Sequence, residues 1–318
     1  MRAGARVGVR AVVCPVRGLG YFVRLFEPQT AALKPAIPAL LVHGFGGSGE
    51  LWAEVARLLA GSRTVVAVDL PGHGRTPAPP DNGRWRLEEV AADLAALVDS
   101  LGLGKTHLVG YSMGGRLALH AALNWPARWA SLVLESASPG LADEEERRRR
   151  REEDGRWARL LEEQGLPAFF ARWDRQPLFA GRARMGARRR RRLERVRRSH
   201  DPRALAACLR GMGAGSQQPL WERLQQLLLP VLLVSGQEDS KYCQLAEQMQ
   251  QRMVAARRVV VAGAGHSVHL ERPRTYARVV AAFWQQLEQA GGGGGDGVQA
   301  GAQTAAEAEA EAKAAKGE

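Results

Sequence analysis

Short apolar runs alternate with longer stretches of helical spacing over the first half of the chain. Residues 39–42, 64–69, 106–109 and 131–135 are rich in Val and Leu and bounded by turn residues, which predicts buried strands. Residues 87–101 carry apolar side chains three and four apart, the spacing of a helix with one buried face. Strands that alternate with helices predict βαβ units and a parallel sheet. Upstream, residues 7–13 alternate like an edge strand, and residues 21–26 supply an antiparallel partner across the turn at 17–20. After Pro139-Gly140 the alternation stops. It resumes with the apolar run 230–236, the short run 259–261 and a final helix predicted over 273–287. The interval has helical character and no strand. From Gly291 the chain is Gly-rich, then an Ala/Glu repeat, a composition that cannot bury enough apolar surface to order itself.

These breaks give the expected organisation: an α/β core from residues 1–137 and 221–290, a helical cap from 138–220 and a disordered tail from 291–318. The core is expected to be a mostly parallel twisted sheet with helices on both faces. A chain of 318 residues with 45% hydrophobic content supports one such domain. No apolar run approaches the roughly 20 residues of a membrane span. Cys14, Cys208 and Cys243 are far apart and lack ligand spacing, so they read as reduced thiols. No metal site and no cofactor is expected. Residues 1–17 are Arg-rich and acid-free, as a transit peptide would be. Their alternation favours an edge strand, so a cytoplasmic location is expected, with a plastid as the alternative.

Charge changes the picture in the cap. Residues 138–220 hold 21 Arg against 12 acidic residues, which is +9 of the chain's +12. Arg147–Arg151 and Arg188–Arg192 are uninterrupted runs. Solvated helix faces account for most such runs. A nucleic-acid patch is disfavoured, because few aromatics interleave them. A third reading places a few of these arginines on an anionic substrate, since guanidinium forks grip carboxylates bidentately.

The candidate chemistry lies in four turns. Gly110-Tyr111-Ser112-Met113-Gly114 is G-x-S-x-G between an apolar run and a helical stretch, the nucleophile elbow of α/β-hydrolases. Asp239 follows the run 230–236, and His266 follows the run 259–261. The order Ser112, Asp239, His266 is that of the fold's catalytic triad. His43-Gly44-Phe45-Gly46-Gly47 offers the backbone N–H of Phe45 to an oxyanion, and Met113 offers the second N–H. Glu135 is the runner-up for the acid. His43 and His73 read as shaping turns, and His107, His120 and His200 have no motif.

On these residues the chain resembles the 2-succinyl-6-hydroxy-2,4-cyclohexadiene-1-carboxylate synthases of menaquinone and phylloquinone biosynthesis. The resemblance spans about residues 21–287. Its specific parts are Gly110 to Arg116, Glu135 to Leu141, Trp173 with Gln176-Pro177-Leu178-Phe179, Leu209 to Gly215, Gly236 to Tyr242 and Gly265 to Glu271. It implies a lyase that eliminates pyruvate from an enolpyruvyl cyclohexene tricarboxylate. Ser112, made basic by His266 and Asp239, would abstract a ring proton. Arg116 matches the elbow arginine and Arg150 and Arg197 match two cap arginines; Tyr111 is expected to line the pocket, and Trp173 either lines it or belongs to the cap core. The expected partner is thus a small tricarboxylate; oligomeric state is not legible. The sequence departs from the pattern at Tyr242, where Phe is usual, and Ala214, where Thr is usual. A carboxylesterase or thioesterase with the same triad is the alternative, and a non-catalytic receptor is a further one.

Overall fold

The computed structural model describes residues 6–29 and 36–292. The predicted disordered tail therefore lies almost entirely outside the described residues, as do residues 1–5 of the basic N-terminus.

The chain opens with β1 (Val7–Val16) and β2 (Leu19–Pro28), joined by the two-residue turn Arg17-Gly18. Both turn residues have positive φ, 45° and 83°, the geometry that matches strand twist across a tight hairpin. Next come β3 (Ala39–Val42), α1 (Ala53–Leu59), β4 (Val65–Val68), α2 (Leu87–Ser100), β5 (Thr106–Tyr111), α3 (Met113–Asn124) and β6 (Trp129–Glu135). The cap follows, with α4 (Glu144–Trp173), α5 (Ala187–Arg198) and α6 (Pro202–Met212) and no strand. The core resumes with β7 (Val231–Gly236), α7 (Ser240–Gln250), β8 (Ala256–Val261), α8 (Val268–Glu271) and α9 (Pro273–Gly292). The last helix runs past 287 to Gly292, into the first residues assigned to the tail.

The eight strands form one sheet in the order β1-β2-β4-β3-β5-β6-β7-β8. β1, β2 and β4 pair antiparallel in turn, and every later pair is parallel. The central strands are fully buried, because helices cover both faces of a parallel sheet; hence their unbroken apolar runs. β8 begins three residues earlier than its apolar run. Arg257 and Arg258 stand in this edge strand, where charge guards an open edge and hides the periodicity.

The cap has local reasons for its shape. Asp143 caps α4 by accepting from the Glu146 N–H at 2.8 Å, and Glu144–Glu146 face the positive end of the helix. Gly165 (φ 72°, ψ −176°), two residues before Pro167, breaks α4 into two arms. Asp201 and Pro202 start α6. Phe169, Phe170, Trp173, Phe179, Leu205 and Leu209 form a small apolar cluster of the cap, and Phe45 packs against both this cluster and the main core. By its contacts the chain divides into residues 1–281, which include core and cap, and residues 282–318, whose described part is the last turns of α9. Among the described residues no helix is long and apolar enough to cross a membrane.

Candidate active site

Ser112 sits between β5 and α3 at φ 53°, ψ −112°, a conformation that L-residues avoid. The strand-to-helix turn is forced by close packing. A Cβ on Gly110 would overlap the carbonyl oxygen of Gly114, and one on Gly114 those of Val42 and His43. Ser112 is held by its N–H to Glu135 O at 2.9 Å and by its carbonyl, which accepts from Arg116 N–H at 3.0 Å. The positive end of α3 points at the hydroxyl.

The loops after β7 and β8 complete the triad. The His266 Nδ1–H donates to Asp239 Oδ2 at 2.7 Å. A carboxylate only accepts, so this bond leaves His266 Nε2 free to accept from Ser112 Oγ, 3.1 Å away. Both His266 and Asp239 are buried. Glu135 is engaged elsewhere. Its Oε1 accepts from the backbone N–H and the Nδ1–H of His269, at 3.0 and 2.9 Å, and Trp52 stacks on that imidazole.

The turn at residues 43–47 is braced by three histidines. His43 Nδ1–H donates to Gly44 O at 2.7 Å and Nε2 accepts from Leu70 N–H at 3.0 Å. His73 Nε2 accepts from Gly46 N–H at 3.2 Å, and Nδ1–H donates to Pro71 O at 3.0 Å. His200 reaches in from the end of α5: Nε2–H donates to Gly46 O at 3.1 Å, and Nδ1 accepts from Gly74 N–H at 3.3 Å. Burial holds all three neutral, lowering His43 to about 3, His200 to about 4 and His73 well below its usual value. His200, without a motif, is thus a bracing residue; only the cap's placement over the turn reveals it.

A cavity of about 440 Å³ opens over Ser112, with Phe45 and Met113 in its lining. Met113 begins α3, so its N–H has no partner within the helix. One wall is apolar: Phe45, Trp173, Leu178, Phe179 and Leu209. Trp173 also stacks on Phe169 (5.2 Å, 22°), so it serves the cap's core and the cavity together. The lining also carries Arg116, Arg150, Lys241 and Tyr242, with Asp154 and Glu238. Arg116 donates to Met212 O (2.9 Å) and Gln217 Oε1 (3.4 Å), both neutral oxygens. Burial lowers its pKa. Arg150 donates through Nε to Asp154 Oδ1 at 2.9 Å. Burial works against the charge of Arg150, and its attraction to Asp154 outweighs burial and raises its pKa.

Arg197 lies elsewhere. It grips Asp174 with two N–H groups, one bond at 2.7 Å, and lies over the Phe170 ring. With Arg182 and Tyr111 it lines a small space behind the oxyanion turn. Tyr111 is bonded to Ser267 Oγ at 2.7 Å, and burial pushes its phenol up to about 12. Arg182 donates to the same Ser267 Oγ at 3.3 Å and to Asp174 at 3.1 Å. The sequence does not single out Arg182, one of many arginines in its segment. Two of the three expected arginines therefore meet in the serine cavity. Among the described residues no group of three or more His, Cys, Asp or Glu could hold a metal ion.

The family of the alpha/beta hydrolase fold matches residues 38–273. A Salmonella agona 2-succinyl-6-hydroxy-2,4-cyclohexadiene-1-carboxylate synthase is 36% identical over 76% of this chain and 91% of its own length. A Bacillus subtilis protein, named as a candidate for the same synthase, is 40% identical over 76% of this chain and 88% of its own. The chain belongs to this synthase family, within the α/β-hydrolase fold. The solved structure of MenH from S. aureus superposes with a TM-score of 0.79 and 27% identity, covering 84% of this chain and 98% of that one. Ala214 and Tyr242, the two positions expected from the resemblance to depart from its pattern, both line the serine cavity.

Proposed function

We propose that this protein eliminates pyruvate from 2-succinyl-5-enolpyruvyl-6-hydroxy-3-cyclohexene-1-carboxylate, giving 2-succinyl-6-hydroxy-2,4-cyclohexadiene-1-carboxylate. The observation that carries the reading is Arg116: a cation lining the cavity beside Ser112, His266 and Asp239, bonded among the described residues only to neutral oxygens. A half-buried charge without an ionic bond partner favours an opposite charge, and a substrate carboxylate supplies it.

The triad geometry is compatible with the following steps. His266 Nε2 takes the Ser112 hydroxyl proton, and Asp239 stabilises the imidazolium that forms. The serine oxygen takes a proton from the substrate ring. The C–H electrons form a C2=C3 double bond, the existing ring double bond shifts from C3=C4 to C4=C5, and the C5–O bond to the enolpyruvyl group breaks. Enolpyruvate leaves, takes up the proton that the His266 imidazolium gives back, and becomes pyruvate, which returns the triad to its resting state. The N–H groups of Phe45 and Met113 stabilise the enolate oxygen that develops on the succinyl carbonyl. No acyl-enzyme forms. Arg116 and Arg150 hold carboxylates, and the apolar wall takes the ring.

The test is a coupled assay in which the enolpyruvyl substrate is generated enzymatically and pyruvate release is followed. Pyruvate formed well above the uncatalysed rate, and lost in Ser112→Ala, supports the reading. Absence of release, with turnover of small neutral esters that is indifferent to Arg116→Ala, transfers the triad to an esterase.

A further inference from the structure

A second cavity, of about 410 Å³, adjoins the serine cavity. Arg116, Arg150, Ala214, Lys241 and Tyr242 line both, so they form a common partition. The outer part of the second cavity carries Gln217, Trp221, Leu245 and Arg252, none of which lines the first. Its cations are Arg116, Arg150, Lys241 and Arg252, against Glu146 and Glu222.

Gln217 closes the wall beside Arg116. It is 1% exposed, and its Oε1 accepts from Arg116. That bond fixes the other end as the amide nitrogen, which has no hydrogen-bond partner. A buried donor left without an acceptor is uncommon in a folded protein. Arg252 is poised over Trp221, 5.1 Å from its ring, and donates to Gln248 O at 3.0 Å. Trp221 in turn is tied to Gly140 O at 2.9 Å.

We propose that the second cavity binds a small 2-oxo monocarboxylate, the pyruvate released over Ser112, through Arg252 together with the shared Arg116 and Arg150. The proposal rests on the elimination reading. Elimination turns one anion into two in a confined space, where like charges repel far more strongly than in water. A neighbouring chamber that shares the same cations lets the smaller product move away without leaving their field.

Binding is tested on the resting protein, without turnover, by calorimetric titration of sodium pyruvate, with acetone as the neutral control. Pyruvate is expected to bind and acetone not. Arg252→Gln, and Leu245→Trp which fills the second cavity alone, should each weaken pyruvate about tenfold, the scale of one charge-assisted contact. In turnover, pyruvate should inhibit in a mixed pattern against substrate, and both variants should relieve it while kcat/KM stays within about twofold. Unchanged pyruvate affinity in Arg252→Gln, or purely competitive inhibition, overturns the proposal. Failure of elimination with variant-sensitive pyruvate binding would remove the reaction and leave the anion site standing.

Discussion

Phe45 and Ser112 stand between two regions built on opposite terms. In front, Arg116, Arg150 and Lys241 bring positive charge to an open cavity, and Arg116 is bonded only to neutral oxygens. Behind, His43, His73 and His200 are buried and neutral, and each uses both ring nitrogens on backbone groups. The difference separates gripping from bracing. Where a backbone N–H must stay fixed, the protein satisfies every polar atom from within; where a substrate must be held, it leaves binding capacity open.

The contrast can be sharpened first by silencing the chemistry. Ser112→Ala should lower turnover on the order of 10²–10⁴-fold, the contribution of a positioned proton-transfer group, while substrate affinity persists. That variant lets the front wall be tested by binding alone. Asp239→Asn should fall in the same class; if it kept near wild-type turnover, His266 would need another acid, and Glu135 is bonded to His269 instead. Arg116→Ala should cost about 2–4 kcal/mol in transition-state binding, roughly 30- to 1,000-fold in kcat/KM. A loss confined to thermal stability would make it a bracing residue and erase the contrast.

Behind the turn, the expected effect is on folding. His73→Phe leaves the Gly46 N–H and the Pro71 carbonyl without their partners, at about 1–3 kcal/mol each. That is a fall in Tm of roughly 5–10 °C for a domain of this size. The three histidines also set a pH slope. Their folded-state pKa values lie below the unfolded value of 6.5, so the native state binds fewer protons. Their contribution is complete above pH 6.5 and is lost as pH falls toward 4, by about 1.4 kcal/mol per pH unit for each. Urea midpoints at pH 7 and pH 5 check this, and His200→Asn should flatten the slope. A slope identical to wild type would show that His200 is not held neutral. The smallest effect belongs to the outer faces. Arg190 is exposed and donates to Ala183 O, so Arg190→Ala should leave kcat/KM within about twofold.

The same division explains what could be read from the chain. The grouping of Ser112, Asp239 and His266 was legible because each follows a strand in a tight turn, and the turn at Ser112 leaves a written trace at Gly110 and Gly114. The parallel strands were legible for the same local reason, except β8, whose arginines mask its start. The cap was legible as helical and no further, since a run of arginines carries no periodicity to orient it. His200 and Arg182 act through partners 154 and 85 residues away. Arg197 turns to Asp174, not to the serine cavity, and only the folded cap shows which arginines face inward.

The backbone of Ser112 bears on how this protein can adapt to heat. A serine held at φ 53°, ψ −112° stores on the order of 1–3 kcal/mol, against a whole-fold margin of about 5–15. Selection acting on ruggedness alone would favour glycine there, which enters that region at little cost and has no hydroxyl. The simplest step toward a hardier molecule is therefore one that extinguishes it as a catalyst. A lineage moving to hotter surroundings must gather its increments on the outer faces and loops, and carry this one strained residue along unchanged.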